Sequence, residues 1–178
     1  MIILTGASAS GKTVTALDLQ KRHGFKKAIT TTTRKMRDGE VDGVDYFFIS
    51  EEEFKKRLKE NKFVEYSVYN NNYYGCGVDQ VSDNKVVVLD PNGLHSFKAL
   101  KNKNVVSFLL ICDESKREER MKGRGDKEDK IVERLTNDKI DFAMEKIGEV
   151  DFIINTANKS ITEVSDAIND FYKAKIAK

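Results

Sequence analysis

At 178 residues the chain is long enough for one domain with a substantial core. A net charge of +2 excludes the uniformly basic field of a nucleic-acid binder, so its arginine clusters need local explanations. No apolar run is long enough to span a bilayer, MIILTG lacks the basic flank of a signal peptide, and Cys76 and Cys112 have neither metal nor redox spacing, so a reducing cytoplasm is the expected setting.

In chain order, Met1–Thr5 reads as a buried strand and Val14–Lys21 as a helix ending near His23-Gly24. Thr30–Val81 is richer in aromatics and predicts short strands around one helix, with Ser50 as N-cap and Glu53 closing a capping box. Val86–Asp90 and Val105–Ile111 are further buried strands, the second leading to Cys112, which is expected as a buried thiol. Asp113–Lys130 is nearly all charged, with Met121 its one large apolar residue. It predicts a solvated helix pair or a mobile flap and not core. Val150–Ile154 is a fourth buried strand, and Ser160–Ala174 a helix with Ile161, Val164, Ile168 and Phe171 on one face. Buried strands alternating with helices indicate an α/β fold with a parallel sheet.

The strongest chemical signal is GASASGKT: Gly6, Ala7, Ser8, Ala9, Ser10, Gly11, Lys12 and Thr13. It matches Gly-x-x-x-x-Gly-Lys-Ser/Thr between an apolar strand and a helix, the context a phosphate-binding P-loop requires. Its glycines let backbone N–H groups turn toward phosphate oxygens, and the helix adds its positive end. Lys12 neutralises the outer phosphates, and the Thr13 hydroxyl suits Mg²⁺. Asp90 closes the strand VVVLD, where a carboxylate can hold Mg²⁺ or its water. Asp90-Pro91-Asn92-Gly93 also fits a type I turn, and Asp90 also fits the cap of a helix starting at Pro91. Arg34 and Arg37, near Tyr46 and Tyr74, suit a clamp for one phosphate, since guanidinium forks match its oxygens. A charged β-edge accounts for the same residues equally well.

The order GASASGKT, TTTTRKMRDGEVDGVDYFF, FVEY, NNYYGC, VVVLD, GRGD and IVERL resembles guanylate kinase over nearly the whole chain. The resemblance implies the P-loop nucleoside monophosphate kinase fold. Residues 1–29, 82–112 and 138–178 would form a parallel-sheet core flanked by helices, 30–81 a small mixed-β GMP-binding insertion, and 113–137 a helical lid. It implies ATP as donor, GMP as acceptor, Mg²⁺ as cofactor, and no nucleic-acid or membrane partner. Arg34, Arg37, Tyr46 and Tyr74 then resemble the GMP-phosphate clamp. Glu65 resembles the guanine reader, for one carboxylate accepts both N1–H and the N2 amine. Thr30 stands where the family has a serine touching the base. Arg120, Arg124 and Arg134 resemble lid arginines, and Asn155 matches a position near the adenine. Lys12, Arg37, Arg124 and Arg134 are the expected catalytic set, with Thr13 and Asp90 on the metal.

Three departures accompany the match. Cys76 stands for the usual serine or threonine at the GMP site, and a thiol is a weak donor. LDPNGL is shorter than the family's stretch and lacks its second aspartate. The loop before IVERL is also shortened. A P-loop kinase for another monophosphate is the alternative reading, and a non-catalytic interaction domain a more distant one.

Overall fold

The computed structural model describes residues 1–177. Five strands form a parallel sheet: β1 (Ile2–Thr5), β2 (Lys26–Lys27), β7 (Lys85–Val88), β8 (Val106–Ile111) and β9 (Phe152–Asn155), in the order β2-β7-β1-β8-β9. Side chains along β1 alternate between two cores. Ile2 and Leu4 join Val106, Phe108 and Leu110 on the face covered by α1 (Lys12–His23) and α7 (Ile161–Ile176). Met1 and Ile3 join Val87, Leu94, Phe97 and Ile147 on the face covered by α3 (Pro91–Ala99) and α6 (Met144–Ile147). Burial on both faces is why β1, β7 and β8 read as unbroken apolar runs and not as alternations. Strand β2 is the exposed pair Lys26-Lys27, and β9, expected as a buried strand, buries only Ile154 because it lies at the sheet edge. Helix α1 stops where Gly24 takes a left-handed φ of 75°, so its N–H reaches back to Leu19.

A second sheet has the order β4-β3-β6-β5, from β3 (Thr30–Thr32), β4 (Phe47–Phe48), β5 (Phe63–Tyr69) and β6 (Asn72–Gly77). Strands β5 and β6 form a hairpin tipped by Asn70-Asn71, both at positive φ, as a two-residue turn with the strands' twist demands. Helix α2 (Glu51–Lys59) covers one face of this sheet through Phe54, which is fully buried and stacks on Phe63 at 4.3 Å. Gly75 makes that contact possible: a Cβ there would stand 3.0 Å from both rings. The helices α4 (Glu114–Gly123) and α5 (Glu128–Asp141) link β8 toward β9.

Several expectations are corrected. The charged segment from Asp113 is not wholly solvated. Met121 is fully buried with Ile131 and Leu135 in a third apolar cluster, and Arg117 is buried too. Ser50 accepts the Glu53 N–H, but the Glu53 carboxylate pairs with Arg57, so the reciprocal half of the capping box is not seen there. The full box forms instead at Ser160 and Glu163. On α7 the buried face is Val164, Ser165, Ile168, Asn169 and Tyr172, while Ile161 and Phe171 are exposed. Cys112 is half-buried because it follows the end of β8. No helix among the described residues is long and apolar enough to cross a membrane.

Candidate active site

The loop 6–11 leaves the carboxyl end of β1, where neighbouring crossovers depart to opposite sides of the sheet. In such folds that point opens a ligand crevice. Gly6 has φ 141° and lies so close to β8 that a Cβ would stand 2.3 Å from the Leu110 carbonyl oxygen. Gly11, at φ 102°, precedes α1 without a side-chain cap, which leaves the first N–H groups of the helix available to an anion. The Lys12 ammonium donates to the Gly6 and Ala7 carbonyls at 2.5 and 2.8 Å and lies 5.8 Å from the Phe142 ring centre. Burial pulls its pKa down to about 8; Asp138 opposes that shift, and Arg117 and Arg124 add to it.

A cavity of about 350 Å³ adjoins this loop, lined by Lys12, Thr13, Arg120, Arg124, Thr156 and Lys159 among others. Arg120 donates to the Ala9 carbonyl at 3.1 Å and to the Thr156 carbonyl at 2.7 Å. Arg124 and Arg134 meet on one carboxylate, Asp126, at 2.6 and 2.8 Å. Asn155 sits at the end of β9, its side-chain oxygen accepting the Ala157 N–H at 2.9 Å.

On the second sheet three strands bring expected residues into one rung. Thr30 pairs with Cys76, and Cys76 pairs with Glu65, so the three side chains share a face. Thr32 and Tyr74 occupy the next rung on that face. The Cys76 N–H donates to Glu65 Oε1 at 3.2 Å. Burial raises the Glu65 carboxyl pKa, the Cys76 amide lowers it, and the negative charge of Asp90 raises it further. The Cys76 thiol is only 2% exposed, packs in the second core cluster, and has its own pKa pushed up to about 12, chiefly by burial. What Cys76 offers the site is therefore its backbone.

Above that rung, Arg34 is fixed by Glu40 at 2.6 Å and lies over the rings of Tyr46 and Phe48. Tyr46 and Tyr74 meet edge to face at 6.2 Å. Glu40 also accepts the Arg37 backbone N–H at 2.8 Å, leaving the Arg37 side chain exposed. Asp90 is the N-cap of α3, with Oδ1 accepting the Gly93 N–H at 2.8 Å. The capping reading holds. Its second oxygen is free of that bond, so the cap is compatible with a metal.

A family model described as guanylate kinase matches residues 1–174. The chain belongs to the guanylate kinase family. A guanylate kinase from Lactobacillus johnsonii is 32% identical over 96% of this chain and 94% of its own. One from Schizosaccharomyces pombe is 33% identical over 97% and 86%. The crystal structure of guanylate kinase from Anaplasma phagocytophilum shares the fold, with a TM-score of 0.68 at 23% identity over 100% of this chain and 86% of that one.

Within this guanylate kinase-family fold, three residues near the donor loop escaped sequence reasoning. Thr156 is buried and donates to the Ser10 carbonyl at 2.8 Å. Arg117 and Asp138 form a buried pair at 2.7 Å, and Asp138 binds Ser8. A signal existed for the pair. Asp138 continues the Ile131–Leu135 stripe at helical spacing, and Arg117 precedes Met121 by four. Charges on an apolar stripe must find partners.

Proposed function

We propose that the protein transfers the γ-phosphoryl group of ATP to GMP, and also to dGMP, giving ADP and GDP in purine nucleotide metabolism in the cytoplasm. The observation that carries the reading is the Thr30–Cys76–Glu65 rung, in a chain whose P-loop is intact. A half-buried carboxylate oriented by the Cys76 amide suits the two adjacent donors of guanine, a pair adenine lacks. We assign residues 30–81 to GMP binding and 113–137 to a lid.

In this scheme the acceptor phosphate monoester is largely ionised at neutral pH and needs no general base, since its second pKa is about 6. The task is to bring two polyanions into line. Arg34, Arg37, Tyr46 and Tyr74 hold the acceptor phosphate. Lys12 and the loop amides other than the Ser8 N–H, which Asp138 holds, bind the donor. Arg124 and Arg134 exchange Asp126 for the transferring phosphoryl group, and with Arg37 stabilise its spread charge. Mg²⁺ bound with ATP supplies neutralisation of the triphosphate. Thr13 and Asp90 are the residues that would hold it, and a site with few protein carboxylates suits an ion that keeps waters and phosphates as ligands.

The test is a coupled assay with ATP and Mg²⁺ across GMP, dGMP, AMP, UMP and dTMP, on wild type and Glu65→Gln. Wild type should prefer GMP, and Glu65→Gln should lower kcat/KM for GMP about 10²-fold, the scale of a lost charged hydrogen bond pair. AMP preferred over GMP by the wild type would overturn the assignment.

A further inference from the structure

Two charged side chains buried beside the donor loop have no part in the scheme above. Arg117 on α4 and Asp138 on α5 are each 8% exposed at the side chain. Between them they occupy every polar group of Ser8. Asp138 Oδ2 accepts the Ser8 N–H at 3.0 Å and Oδ1 accepts its hydroxyl at 3.2 Å, while Arg117 Nη1 donates to its carbonyl at 3.3 Å. The next residue, Ala9, has a left-handed φ of 58°, an unfavourable conformation for a residue with a Cβ. Such a conformation persists when its surroundings over-determine it. Here the Ala9 carbonyl is bound by Arg120, and its methyl packs on the Met121, Ile131 and Leu135 cluster.

We propose that Arg117 and Asp138 are positioning residues for the donor loop: by clamping Ser8 they make the α4–α5 pair hold the loop ready for the triphosphate before ATP arrives. Pre-organisation of this kind raises affinity because the ligand need not order the loop. The pair is specific to this task. An apolar pair would fill the interface between α4 and α5 equally well, but would leave three polar groups of Ser8 unmet. The inference rests on GASASGKT being the ATP site.

The experiment measures the Kd of Mg·ATP by calorimetry, KM for ATP and for GMP, and the thermal midpoint. The proteins are wild type, Asp138→Asn, Arg117→Lys and the double variant Arg117→Leu with Asp138→Ala. Asp138→Asn should raise the ATP Kd and KM about tenfold, with GMP KM changed less than about twofold. Arg117→Lys keeps a cation on Asp138 and should recover most of the wild-type affinity. The double variant removes both buried charges and should regain stability while its ATP affinity stays weakened. This last comparison decides the matter even where Asp138→Asn fails to fold. Wild-type ATP affinity in the double variant, or equal losses for ATP and GMP in folded Asp138→Asn, would overturn the proposal. A wild type that binds ATP but phosphorylates no GMP would instead overturn the kinase reading, with the clamp still decided by the Kd values.

Discussion

The loops 6–11 and 33–40 both carry glycine and both present groups suited to phosphate, yet they are held in opposite ways. In the first, Ser8 is tied to Asp138, Ala9 to Arg120, Ser10 to Thr156, and Gly6 is pressed against Leu110. In the second, Glu40 braces Arg34 and the Arg37 amide, but the Arg37 guanidinium has no ion pair among the described residues. A loop bonded into the core is shaped by folding. A loop that leaves a cation in solvent is completed by its ligand. Damage to the first should therefore cost both stability and activity, and damage to the second activity alone.

Gly6→Ala should be the most severe break. A Cβ at 2.3 Å from a backbone oxygen forces the loop from β8, so stability should fall by roughly 2–4 kcal/mol, with donor binding lost. Chemical denaturation alongside an ATP titration checks both. Arg37→Ala should lower kcat/KM for GMP by about 10²–10³-fold with the melting temperature unchanged within about 2 °C. If that variant unfolds early, the contrast between the loops is wrong.

Lys12 sharpens the contrast through pH. Its folded pKa is depressed to about 8 from 10.5, so between those values the unfolded chain holds more protons. Its contribution therefore makes stability rise with pH across that window, and at neutral pH the buried charge weighs against folding. Binding runs the other way. The charged form grips phosphate, so kcat/KM for ATP should fall above pH 8, while kcat at saturating ATP holds to higher pH because bound phosphates raise the pKa again. A flat kcat/KM profile through that range would show that burial does not govern Lys12. The smallest effect belongs to Cys76→Ser. With the thiol in the core, GMP KM should change less than about threefold and stability drop by about 1 kcal/mol for a buried hydroxyl. A large gain in GMP affinity would place the side chain on the substrate after all.

Much of this was legible in the chain itself. GASASGKT marked its loop because local backbone freedom and a following helix suffice to make a phosphate cradle. Strands β1, β7 and β8 were legible because burial on both faces leaves unbroken apolar runs, whereas the exposed Lys26-Lys27 pair of β2 left no such mark. Glu65 became a candidate through family resemblance, since an isolated strand carboxylate states no role by local pattern. Arg37, which by itself fits a phosphate clamp and a charged edge equally well, was tipped toward the clamp by that resemblance. Asp113–Lys130 reads as solvated because its charge density suggests exposure. Arg117 is charged and buried, which is tolerable when a partner waits on another helix, and that partner lies 21 positions on.

The sequence by itself determined what is local: the strand runs, the P-loop turn and the Gly24 stop. Only the tertiary structure decided what depends on distant segments meeting. It turned the Cys76 thiol into the core and its amide toward Glu65, set Asp126 between Arg124 and Arg134, and closed Arg117 and Asp138 around Ser8. Conformational preference acts over a few residues. Desolvation and ion pairing act on whichever groups the fold brings within a few ångströms.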